Sequence, residues 1–260
     1  MGAGGLRIPR GPLDRGYGAT RIVVATFGTL AALAGIEHGI GEILQGPGAP
    51  GGLMIRSWPD AEAMDVLQGE PALTVIPDLL LAGVLTVLVA AATAVWSVVS
   101  RGPRSTGIGL IVLGGALLVV GGGFGPPLVV FILGIAATRA GVTPRRALGH
   151  AGRAVARAWP WCTAAGAVGF LGLMPGTVVL SALGFESAGL TVGLTVLAFG
   201  GLVGALITAR ARDRSARWSS GRPGSPIDPS MPGPSAVGGA AGRSEAESRR
   251  TAVRRRGGTR

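Results

Sequence analysis

The chain has no lysine, a single cysteine, and charge on only 14% of its 260 residues, against roughly 25% in soluble domains. Each scarcity excludes something. One cysteine, Cys162, rules out an intramolecular disulfide and any multi-cysteine metal site. No nucleotide-binding loop, nucleophile triad or rich metal motif is visible. With no lysine, the net charge of +11 rests on 24 arginines. Arginine alone suits phosphate recognition, but arginine codons favoured by a GC-rich genome explain it more simply. What is abundant is apolar surface, 48% of residues, together with 47 glycines. Glycine is common in membrane helices because it lets backbones approach closely.

The scarce charge is absent from long runs. Segments at about 22–44, 76–99, 161–183 and 188–209 each approach the roughly 20 residues needed to cross a hydrocarbon core of about 30 Å. The stretch 107–137 has no charge at all. As one helix it would be about 46 Å long, and its middle reads Gly121-Gly122-Gly123-Phe124-Gly125-Pro126-Pro127. Tandem glycine weakens a helix, and the prolines can begin one but not continue one. Two short arms, 106–121 and 126–140, are therefore expected around a tight turn. Cleavage of a signal peptide after Ala32-Leu33-Ala34 competes with the first segment, although apolar residues continue through Ile40, Ile43 and Leu44.

Loop charge sets an orientation. Arg7, Arg10, Arg15 and Arg21 precede the first segment, Arg101 and Arg104 follow the second, and Arg139, Arg145, Arg146, Arg153 and Arg157 occupy 138–160. Twelve more arginines lie beyond Ala209. Asp60, Glu62, Asp65 and Glu70 fill the loop 45–75, and Glu186 the last short loop. The positive-inside rule puts the arginine loops in the cytoplasm. The expected fold is all-α: a polytopic helical membrane protein with six transmembrane segments, or five plus a re-entrant hairpin at 106–140. A basic cytoplasmic arm (1–20) precedes the membrane domain (21–210). A disordered Arg/Gly/Pro/Ser-rich tail (211–260) follows it, too poor in large apolar residues to fold alone. Both termini are expected in the cytoplasm of a bacterial cell, with the tail and loops drawn to anionic lipids rather than nucleic acid. Small residues four apart, Gly189/Gly193 and Gly200/Gly204, favour close helix contact or oligomerisation.

Chemistry has one good candidate location. Glu37, His38 and Glu42 lie near the outer end of the first segment, with His38 and Glu42 on one helix face. Glu37 is about 24 Å along the helix from Arg21, hence submerged. Submerged ionisable groups are expensive and usually paired, and a helix C-terminus disfavours negative charge. His38 as a cation, Arg56 folding back, a shared proton or a divalent metal such as Zn or Mn would each compensate. A hydrogen-bonded structural cluster is the plainer alternative. Asp78, after Pro77, belongs to the same polar cluster or simply starts the second helix. His150 reads as a solvated loop residue. Ser57, Pro59, Gly69 and Pro71 suggest a short interfacial helix over 57–71, a possible lid on the cluster. The Gly121–Pro127 turn could also offer carbonyls to an ion.

Three pieces occur in order: Gly35-Ile36-Glu37-His38-Gly39-Ile40-Gly41-Glu42-Ile43-Leu44-Gln45-Gly46; then Ser57-Trp58-Pro59 with Gly69-Glu70-Pro71-Ala72-Leu73-Thr74-Val75-Ile76-Pro77; then the Gly121–Pro127 run. Together they resemble a family of uncharacterised small bacterial multi-pass membrane proteins, over about residues 20–140. The resemblance implies a multi-pass fold and no site roles. Residues 141–260 depart from it and read as an added helical hairpin and tail. The expected role is a membrane scaffold or accessory protein, as a homo-oligomer or with a membrane partner; the alternative is a small ion or solute transporter using the Glu/His cluster. An intramembrane enzyme ranks third.

Overall fold

The computed structural model describes residues 18–59, 69–140, 150–174, 183 and 187–220. Helix α1 (Ala19–Gln45) follows the first apolar run, and α2 (Leu79–Val99) the second. Pro103 opens α3 (Pro103–Val120), and Pro126-Pro127 lie in the first turn of α4 (Gly125–Thr138). There a missing N–H costs no helical hydrogen bond. Between them, Gly121 and Gly123 take φ of 126° and 70° and turn the chain where the glycine run predicts a break. After α5 (His150–Val155) come α6 (Trp159–Leu173) and α7 (Ala188–Ser220).

Helices α1, α2, α3 and the 189–216 portion of α7 are long and apolar enough to cross a membrane, which makes this a helical membrane protein. Helix α4 is apolar but has 14 residues, about 21 Å. Helix α6 covers the expected fifth segment only to Leu173; 175–182 lie outside the described residues. The outward surface suits lipid: Leu33, Val112 and Val196 are 53%, 65% and 67% exposed.

Helix α1 is the hub and packs against α2, α4, α6 and α7. Val23, Val24, Phe27 and Ala31 meet Val130 and Leu133 of α4, Phe170 of α6, and Ala198 and Leu202 of α7 in one buried cluster. The Phe27 and Phe170 rings meet edge to face at 5.7 Å. Apolar burial drives helices together weakly inside lipid, so close fit has to do more. At the α1–α2 crossing Gly39 and Gly83 touch backbone to backbone; a Cβ at Gly39 would lie 2.7 Å from the Gly83 carbonyl. The α6–α7 contact is made by Gly166 against Gly201 and Gly169 against Ala198. Of the expected small residues, Gly204 lies against Cys162 of α6, while Gly193 and Gly200 meet nothing within 4 Å among the described residues.

Two further expectations change. The fold is not purely α: β1 (Met54–Arg56) and β2 (Pro71–Leu73) pair antiparallel, with Ile55 opposite Ala72. Ser57 and Trp58 continue this ladder, donating to the carbonyls of Glu70 (3.2 Å) and Gly69 (3.1 Å). Ser57 and Pro71, read as ends of an interfacial helix, thus sit in or beside a hairpin; residues 60–68, the centre of that helix, lie outside the described residues. The second change is at α7, which runs into the expected tail as far as Ser220. The Asp213 carboxylate explains this locally, accepting from Ala19 N (2.6 Å) and Thr20 N (3.0 Å) at the start of α1. A carboxylate there also complements the helix dipole. Residues 221–260 lie outside the described residues.

Candidate functional site

The end of the bundle that holds the C-terminus of α1, here the distal end, gathers all three sequence motifs. Gly39 and Gly41 thin one face of α1. The first lets α2 approach, and the second lies under the backbone of Ser57. Gln45 fastens the hairpin, its amide donating to the carbonyls of Arg56 (3.1 Å) and Ser57 (3.0 Å). The turn after α3 closes the other side. Thr74 N–H donates to the Leu53 carbonyl (3.0 Å) and Val75 N–H to Val119 (3.0 Å), while the Thr86 hydroxyl donates to Val120 (3.0 Å). Gly121 then rests against the Glu42 carboxylate and Gly123 against His38 Nε2. With φ at 70° and the imidazole where a Cβ would go, only glycine fits at 123.

Within this enclosure His38 is 4% exposed, Glu42 0% and Glu70 5%. His38 Nδ1 lies 3.0 Å from the Ala34 carbonyl oxygen and 3.5 Å from both Glu37 Oε2 and Glu70 Oε2. Glu42 approaches from one turn further along α1, on the side of the Gly121–Gly123 turn. Two carboxylates therefore meet one imidazole, with a third a turn away on the same helix. Arg56 does not fold back: it is exposed, and the ion pairs at this end among the described residues involve His38 alone. Nor does Asp78 join. It is half-buried and caps α2, its Oδ1 accepting from Leu81 N at 2.9 Å.

Glu70 is the member that sequence reading did not single out for the site. Its φ of 52° is the left-handed value that a non-glycine residue rarely takes. Strain of this kind, of order 1–3 kcal/mol, persists only where the surroundings enforce it, often at functional sites. Here it follows Gly69, also left-handed at 69°, and turns the carboxylate into the centre. The Gly69-Glu70-Pro71 string within the second motif was the available signal.

The centre is under-satisfied. Among the described residues, buried side-chain nitrogen or oxygen atoms lacking a hydrogen-bond partner are concentrated here: both oxygens of Glu37, both of Glu42, Glu70 Oε2, Ser57 Oγ and Trp58 Nε1. The 3.5 Å approaches to His38 are ion-pair contacts, too long for good hydrogen bonds. Burial pushes the Glu70 carboxyl up to about 7; His38 opposes the rise and Glu37 adds to it. One imidazole cannot balance the buried Glu42 and Glu70 carboxylates together with the part-exposed Glu37, so the centre calls for protons or another cation.

The geometry separates those choices. Ligand atoms of Glu37, His38 and Glu70 lie within 4.8 Å of one another, close enough to suggest a metal. A metal needs a lone pair on the histidine nitrogen that faces it, with the other nitrogen donating to a second partner. Nδ1 faces Glu37 and Glu70, yet its 3.0 Å contact is with a carbonyl, which can only accept. Nδ1 thus carries its proton there, and Nε2 is covered by Gly123. The residues fit protons better than Zn or Mn. His150 begins α5, away from the groups of this centre in sequence and element.

Comparison with protein-family models, curated proteins and solved structures returned no match.

Glu70 makes a test of the electrostatics. A carboxyl whose folded value lies above its unfolded one holds an extra proton when folded. Its contribution is complete below the unfolded value of 4.5 and is lost as pH rises toward 7. The slope is at most about 1.4 kcal/mol per pH unit. Thermal melting in detergent should therefore show stability falling between pH 4.5 and 7, and Glu70→Gln should flatten that fall; an unchanged slope in the variant would remove Glu70 from the centre.

Proposed function

We propose that this chain is a small bacterial cell-membrane transporter whose Glu37–His38–Glu42–Glu70 centre carries protons, coupled to movement of a solute. The observation that supports it is a buried imidazole 3.5 Å from two carboxylates, with the buried Glu42 one turn further along α1, and with most of these carboxylate oxygens lacking a hydrogen-bond partner among the described residues. A cluster kept only to lock helices has no reason to retain buried carboxylates: paired amides or apolar side chains would cost less. Titratable groups submerged in a membrane bundle are by default candidates for proton or ion relays. The scaffold or accessory role is the competing reading. The proposed topology has six segments, with α3 and α4 as two short arms and both termini cytoplasmic. The arginine distribution supports it. Anionic lipids would meet the tail at 221–260.

Flux in proteoliposomes tests the function. With an inward proton gradient, a panel of small cations and neutral solutes should contain at least one whose uptake or release depends on the gradient. Glu37→Gln should abolish that flux. Gradient-independent behaviour across the panel, with the variant indistinguishable from the parent, would favour a scaffold.

Topology has its own test. On a Cys162→Ser background, a membrane-impermeant thiol reagent added to intact cells should label cysteine at Ala63 or Glu186 and spare Ala147. Labelling of Ala147 from outside would overturn the two-arm reading of α3 and α4.

A further inference from the structure

A cavity of about 290 Å³ lies beside the centre, between α1 and α6. Its walls are Leu30, Leu33, Ala34 and Glu37 on one face of α1, and Phe170, Leu171 and Met174 from α6 and its end. The spacing 30, 33, 34, 37 is the i, i+3, i+4, i+7 stripe of a single helix face. The size is at the lower edge of the range for small-ligand pockets, about 300–1,000 Å³. Leu33 and Leu171, 53% and 49% exposed, form the side that faces outward from the bundle.

One wall residue is unlike the others. Among the described residues Glu37 brings the sole ionisable side chain to an otherwise apolar lining, and neither of its oxygens has a hydrogen-bond partner there. The same carboxylate stands 3.5 Å from His38 Nδ1, so it belongs to both the cavity and the centre. We propose that this cavity binds a small lipophilic monocation, an organic amine or quaternary ammonium, whose charge sits on Glu37 and whose apolar body fills the space against Phe170 and Leu171. The inference rests on the transporter reading of the neighbouring centre and names the class of solute for it.

Charge complementarity selects the occupant. An anion would be repelled by Glu37. A neutral acyl chain would leave the carboxylate against methylene groups, uncompensated in a low dielectric. A lipophilic cation supplies the missing charge, and Phe170 offers it an aromatic ring. The groups facing Glu37 are His38 on its own helix and Glu70 on the hairpin; among the described residues α6 contributes only apolar side chains to the cavity, and α2 begins at the capped Asp78.

Benzyltrimethylammonium and its uncharged carbon isostere neopentylbenzene make the test, with the full chain in nanodiscs and binding followed by calorimetry at neutral pH. The cation is expected to bind at least tenfold more tightly than the isostere. Glu37→Gln should weaken binding tenfold or more. Leu33→Trp, which fills the cavity from its outward wall, should abolish binding with Glu37 intact, its fold checked by melting. Equal binding of the two probes, or unchanged cation binding in Glu37→Gln, would overturn the proposal and leave an apolar slot for lipid. Failure of the cation to bind while the protein still takes up protons at its centre would also overturn it, without touching the proton reading. Absence of proton uptake in a direct titration would instead remove the reading on which the proposal rests.

Discussion

Glu42→Gln is expected to raise the stability of the protein and to abolish proton-coupled flux at the same time. Glu42 is fully buried, and neither carboxylate oxygen has a hydrogen-bond partner among the described residues. Thr86, the neighbouring hydroxyl, is already donating to the Val120 carbonyl at 3.0 Å. A neutral amide of the same shape removes the cost of the ionised form in a low dielectric, although the amide is itself a buried polar group. A melting temperature above the parent's is therefore expected in detergent at alkaline pH, where the parent's carboxyl must ionise. Sites under functional demand commonly carry this trade of stability against activity. A cluster that only locks helices together gives the opposite sign: losing a structural carboxylate should lower the melting temperature and leave transport untouched.

Gly39→Val should be worse than any change to the charged residues. A Cβ there would lie 2.7 Å from the Gly83 carbonyl and 2.9 Å from Val87 Cγ2, with backbone on one side and a branched side chain on the other. Neither can give way without separating α1 from α2. Overpacking costs about 1–3 kcal/mol when a core can adjust, and a helix crossing at backbone contact has less room to do so. The expected outcome is loss of the folded monodisperse protein on size-exclusion chromatography. Gly193→Val, where nothing lies within 4 Å, serves as the control and should purify normally. A well-folded Gly39→Val protein would contradict the α1–α2 crossing and, with it, the placement of His38.

Much of the frame was legible because it is written in where charge is missing. Uncharged runs marked α1 and α2, and the Gly121–Pro127 run marked the break between α3 and α4. The dipole and depth of Glu37, His38 and Glu42 marked the place to look for chemistry. The hairpin was not legible. Its strands are three residues each, too short to show a two-residue period, and the acidic stretch between them carries an amphipathic pattern that also suits a helix. Glu70 was hidden for the same reason: only the left-handed pair Gly69-Glu70 brings it beside His38. Asp78 looked like a cluster member because it is acidic and near a helix end, yet a carboxylate at a helix start is satisfied there by the first-turn N–H groups. The extension of α7 depends on Asp213 reaching the start of α1, a contact across 194 residues that no local pattern contains.

The most direct test of the central claim is a proton count. Purified protein in nanodiscs is titrated from pH 5.5 to 8 alongside the Glu37→Gln/Glu42→Gln/Glu70→Gln variant. The window lies above the range in which ordinary carboxyls lose their protons. The parent should release about one to two protons more than the variant across it. Equal release by the two proteins would contradict a proton-carrying centre at the distal end of α1.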